Sequence, residues 1–131
     1  GCGTLPAQDA CISFGNPGDQ PIAGDWDNDG FVEIGVRRNR SWYLDNGNGT
    51  WDGCGSPPAQ DTCIDTFGNP GDQVLAGDWN GDGFTGIGVK RGRAWFLDRN
   101  ADGLWYGCTS DQCIFGWGTV PDKPISGRWK P

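Results

Sequence analysis

Asp25, Asp27 and Asp29 stand at alternate positions, followed at once by Gly30 and three residues later by Glu33. The string D-x-D-x-D-G-x-x-E is a ligand pattern for a hard divalent cation. Calcium takes six to eight oxygens at roughly 2.3–2.6 Å from carboxylates and main-chain carbonyls. Alternate carboxylates on a tightly turned loop converge, the glycine admits the turn, the Phe31 carbonyl adds an oxygen and Glu33 closes the sphere. A second string offers Asp78, Asn80, Asp82 and Gly83, with Phe84 as carbonyl donor. Gly86 stands there in place of the glutamate, so weaker binding or a water ligand is expected. A different loop, Asp98, Asn100, Asp102 and Gly103, has the same D-x-N-x-D-G spacing, with the Leu104 carbonyl available. Its counterpart, Asp45, Asn46, Asn48 and Gly49, is one residue shorter, has a single carboxylate and reads equally well as a plain Asn-Gly turn. Asp9, Asp61 and Asp111, each two residues before a cysteine, are candidates to complete this second type of site.

Other chemistries fall away. The chain has no histidine, so imidazole catalysis, histidine ligation and an imidazole pH switch are excluded. Its serines are few and none lies in a nucleophile elbow, while the carboxylates sit in loops whose spacing cation binding explains. The chain is therefore not expected to be an enzyme. A net charge of −7 argues against nucleic acid and anionic membranes as partners. No apolar run approaches the roughly 18 residues of a spanning helix, so membrane insertion is not expected.

The loops need a scaffold, and the scaffold repeats. Residues 2–53 and 54–107 align almost throughout, and residues 108–131 begin a third copy that stops near its middle. Cys54 lies 52 residues after Cys2, and Asp78 lies 53 after Asp25. Within each copy the period is that of strands. Ile34 and Val36 flank Gly35, and Trp42 and Leu44 flank Tyr43; Ile87, Val89, Trp95 and Leu97 repeat the pattern. Two alternating runs around a short polar turn predict a β-hairpin, and Pro21–Ala23 or Val74–Ala76 predicts a shorter strand before it. No sustained 3.6-residue stripe occurs. The expected fold is all-β, built of tandem hairpin or blade-like repeats. Leu, Ile, Val and Phe make 23 of 131 residues, a thin core that needs staples. Bound calcium is one staple, since its binding energy becomes folding energy. Disulfides are the other. Cys2 with Cys11, Cys54 with Cys63 and Cys108 with Cys113 are local pairs that recur in register, the favoured set among 15 possible pairings. Six cysteines in an acidic, glycine-rich chain point to an oxidising, extracellular setting, as a processed chain or a segment of a longer one.

The combined string FGNPGDQPIAGDWDNDGFVEIGV, then WYLD and a D-x-N-x-D-G loop, resembles the bacterial VCBS/FG-GAP class of repeats, which is similar to the calcium-bearing propeller blades of integrin alpha chains. The resemblance covers nearly the whole chain. It implies antiparallel blade-like units, calcium at Asp25, Asp27, Asp29 and Glu33 and at Asp78, Asn80 and Asp82, and extracellular adhesion or scaffolding. Two and a half copies are too few to close a propeller. The last half-copy, in which Arg128 and Trp129 replace the acidic loop, is expected to stack on the first Cys loop of another copy, head to tail, building a filament. Trp117, unmatched in the alignment, is assigned with Arg128 and Trp129 to that interface. The alternative is a module of a larger secreted adhesin or propeller that binds glycan or a surface protein.

Overall fold

The computed structural model describes residues 11–127. They form two four-stranded antiparallel sheets and no helix. The first sheet runs β1 (Gln20–Gly24), β2 (Glu33–Arg38), β3 (Ser41–Leu44) and β4 (Thr62–Ile64) in order. The second repeats it with β5 (Gln73–Gly77), β6 (Gly86–Arg91), β7 (Ala94–Leu97) and β8 (Gln112–Phe115). The all-β expectation holds. Each sheet also contains an outer strand that the periodicity did not reveal. β4 and β8 carry Cys63 and Cys113 and come from the start of the following copy, so sheet boundaries are offset from copy boundaries.

The registers explain a glycine in mid-strand. Gly35 pairs with Ile22 on one side and Leu44 on the other, and Gly88 pairs with Leu75 and Leu97. A Cβ on Gly35 would lie 2.9 Å from Leu44 Cδ2 and 3.1 Å from Ile22 Cγ2. The centre strand is kept bare so that aliphatic side chains from both neighbours close over it. The hairpins turn tightly, with Asn39 and Gly92 in the left-handed region at φ 57° and 59°.

The core lies between the sheets. Trp42 and Leu44 of β3 meet Ile87 and Val89 of β6, with Phe67 of the connecting segment between them. Trp42 is fully buried and donates its indole N–H to the Phe67 carbonyl at 2.9 Å. Arg37, only 1% exposed, donates to the carbonyls of Asn69 and Asp72 and lies 5.0 Å from the Trp42 ring. The arginine therefore fastens the first sheet to the segment that leads into the second. The second sheet repeats the device. Trp95 donates to the Trp117 carbonyl, and Lys90 donates to the carbonyls of Thr119 and Asp122. Trp117 thus has a structural counterpart after all: it stands where Phe67 stands, although it is 70% exposed.

Disulfides join Cys54 to Cys63 and Cys108 to Cys113, as the in-register spacing predicts. Cys2 of the first pair, and Arg128 and Trp129 of the expected interface, lie outside the described residues. Four of the basic residues at the hairpins divide into two pairs. Arg37 and Lys90 are buried strand residues, whereas Arg38 and Arg91 make two-pronged ion pairs within the chain, to Asp19 and Asp72.

Candidate metal centre

The link from β1 to β2 is a chain of aspartates folded on its own amides. Asp25 accepts from Asp29 N–H at 3.1 Å and Gly30 N–H at 3.0 Å; Asp29 accepts from Phe31 N–H at 2.8 Å. Asn28 and Gly30 adopt left-handed backbone, φ 62° and 91°, which turns the loop back on itself. β2 then opens with Glu33, 6% exposed, whose carboxylate accepts the Trp26 N–H at 2.9 Å. The outcome is convergence: one oxygen each from Asp25, Asp27, Asp29 and Glu33 lies within 4.8 Å of the others. These four are the carboxylates the D-x-D-x-D-G-x-x-E spacing singles out. Burial, and then the charges of Asp27, Asp29 and Asp25, raise the Glu33 carboxyl above its ordinary range, against the pull of the Trp26 amide. Neither ion pair among the described residues reaches the cluster.

Four carboxylates so close repel one another by roughly 1 kcal/mol per pair even at the dielectric of water. The donor set is oxygen only, which fits a hard cation and is foreign to zinc or iron sites built on nitrogen and sulfur. The residues present therefore fit a calcium-like ion.

The other loops share the same skeleton. In 25–31, 78–84 and 98–104 the first aspartate accepts the glycine amide, from Gly30, Gly83 and Gly103 at 3.0, 2.9 and 2.8 Å. In each the aspartate at the fifth loop position, Asp29, Asp82 or Asp102, accepts the amide two positions on, from Phe31, Phe84 and Leu104. Loop 78–84 brings two carboxylates and Asn80 together, and Asn80 donates to Asp82 at 2.8 Å. The amides of Gly83, Gly81, Asp82 and Asn80 outweigh burial and hold Asp78 below the usual carboxylate value. In loop 45–49 Asp45 accepts from Gly47 and Gly49, while Asn46 and Asn48 donate outward to Asp52. Asp61 and Asp111 do reach these loops, as their spacing suggested, yet both oxygens of each are occupied by main-chain amides. Asp61 takes Asn46 and Asp52, and Asp111 takes Arg99 and Tyr106.

Sequence reasoning missed a residue that fastens the first loop to the second sheet. Thr85, at the position of Val32, accepts the Asp25 N–H on its hydroxyl at 3.0 Å and donates its own N–H to the Asp25 carbonyl at 2.8 Å. Asn28 packs against Gly83, so the two acidic loops lie side by side. Only the spatial neighbourhood shows this, because 60 residues separate Asp25 from Thr85.

Compared with known proteins, the chain matches no family model, no curated protein and no solved structure. No helix among the described residues is long and apolar enough to cross a membrane.

Proposed function

We propose that this chain is an extracellular structural repeat protein that binds calcium at residues 25–33 and assembles head to tail with copies of itself. One observation carries the reading: four converging carboxylates that no Lys or Arg among the described residues pairs with. A bound ion would replace mutual repulsion with cross-links among Asp25, Asp27, Asp29 and Glu33. Because Asp25 is bonded on both its amide and its carbonyl to Thr85, ordering the loop would also stiffen the contact between the sheets. The disulfides and the acidic, histidine-free composition agree with an oxidising, extracellular setting.

The assembly half of the proposal rests on two unlike faces. Inside the chain, the Trp42 face of the first sheet packs on the Val89 face of the second. The two outer faces are again one of each kind. The first sheet carries Val36 and Tyr43 outward, beneath Phe14 and Trp51; the second carries Trp95, Leu97 and Ile114, beneath Trp117 and Ile125. Joining them between copies repeats the internal contact, and a contact between unlike faces propagates unless it closes a ring. Segments 12–19 and 117–122 hold equivalent places on these faces, so one of them yields at each joint. Sedimentation velocity and electron microscopy in calcium and in chelator test this: particles larger than one chain in calcium that dissociate in chelator support it. A chain that stays monomeric in both overturns the assembly.

A second reading is favoured by one feature. An open cavity of about 390 Å³ on the first sheet is lined by Phe14, Tyr43 and Trp51, with Asn16 and Arg38 at hand. Flat aromatic walls with nearby polar groups suit a sugar ring. Glycan binding that Trp51→Ala abolishes in a monomeric chain would select this module reading.

A further inference from the structure

Asp98 follows β7 directly and is 1% exposed. Its Oδ2 accepts the Gly103 amide at 2.8 Å, but its Oδ1 is buried and has no hydrogen-bond partner. The sister loops provide one. Asp29 N–H donates to Asp25 Oδ1 and Asp82 N–H to Asp78 Oδ1, each at 3.1 Å, while in the shorter loop Gly47 and Gly49 occupy both oxygens of Asp45. Loop 98–104 has the length of loops 25–31 and 78–84 and, like Asn28 and Gly81 there, a left-handed residue, Ala101 at φ 57°, yet no donor makes a hydrogen bond to Asp98 Oδ1. A carboxylate oxygen withdrawn from water and left unpaired is costly, and nature retains such a group where something else satisfies it.

We propose that residues 98–104 hold a divalent cation of their own, calcium by the chemistry of the donors, with Asp98 as the buried anchor and the Asn100 and Asp102 side chains as further ligands. The proposal is independent of the reading of residues 25–33. Asn100 donates its amide N–H to Asp102 at 2.8 Å, which leaves its carbonyl oxygen available. Asp111 is a positioning residue: both its oxygens hold loop amides. The loop also supports the junction between the sheets. Ile64 of β4 packs against Gly103, and the Thr66 hydroxyl donates to the Gly103 carbonyl at 3.3 Å. An ion here would brace the second sheet against the end of the first.

The experiment is calorimetric titration of the full chain with calcium, repeated on Asp98→Asn, Asp102→Asn and the pair Asp25→Asn with Asp27→Asn. Asparagine at 98 keeps the acceptor for Gly103 and removes the buried charge. The bound-calcium count should fall by one in Asp98→Asn, and that variant should melt no lower than the parent in chelator. Asp102→Asn, at an exposed position, should weaken the same class of site by roughly 10-fold or more. The double variant should lose a different ion and keep this one. An unchanged count and affinity in both Asp98→Asn and Asp102→Asn overturns the site, whatever becomes of residues 25–33.

Discussion

At the scale of single residues, charge is placed where only hydrogen bonding makes it tolerable. Arg37 enters the core because two carbonyls and the Trp42 ring receive it, although its Nε has no partner. Arg37→Met keeps the stem but strands the carbonyls of Asn69 and Asp72, and is expected to lower stability by about 2–3 kcal/mol in urea unfolding. An unchanged midpoint would mean the sheets do not depend on this tie. Asp72, 4% exposed, gives the acid limb. Burial alone would raise its carboxyl, but the Arg91 fork, the Asn69 amide and the Arg37 charge outweigh it and hold the value below 3.8. A depressed value means stability that is present above the unfolded-state pKa, near 3.9, and lost as pH falls through the lower folded-state value. In chelator, the stability gap between the parent and Asp72→Asn should therefore be constant from pH 7 to 5 and shrink below about pH 4. A gap that does not change with pH would refute the role given to the ion pair.

At the scale of elements, sequence and structure agree where a pattern is long enough to have a period. The alternation of Ile34, Gly35 and Val36 and of Trp42, Tyr43 and Leu44 predicts β2 and β3 and their tight turn. It does not say which face is inner. Arg37 looks like part of a solvated hairpin tip, yet it shares the core-facing side with Gly35 and Trp42, because the second sheet buries what one sheet alone would expose. β4 and β8 escape notice because three or four residues with a cysteine among them carry no readable period. The mid-strand glycines yield a test. Valine favours strands, yet Gly88→Val would set its Cβ 2.9 Å from Leu97 Cδ2 and 3.1 Å from Leu75 Cγ, and should destabilise by about 1–3 kcal/mol. A neutral or stabilising effect in denaturant would show that the aliphatic closure over the strand is loose. Replacing Cys54 and Cys63 together by serine opens a crosslink of sequence separation 9 and should cost about 2–3 kcal/mol.

At the scale of the whole molecule, the first two acidic loops, the buried Arg37 and the aromatic core meet at one joint between two similar sheets. The four converging carboxylates of the first loop were legible because they fall within nine residues of chain at a recognisable spacing. The attachment of that loop to Thr85, the packing of Asn28 on Gly83 and the unpartnered Asp98 were not, since each depends on chain brought together from far apart or on a bond that is missing. In this account few aliphatic residues suffice because cations complete the joint. Thermal unfolding of the full chain, followed by far-ultraviolet circular dichroism in chelator and then with calcium restored, tests that claim most directly. The account predicts a lower midpoint in chelator and a rise of RT ln(1 + [L]/Kd) in stability as calcium returns. The same β signal and the same midpoint in both conditions would contradict it.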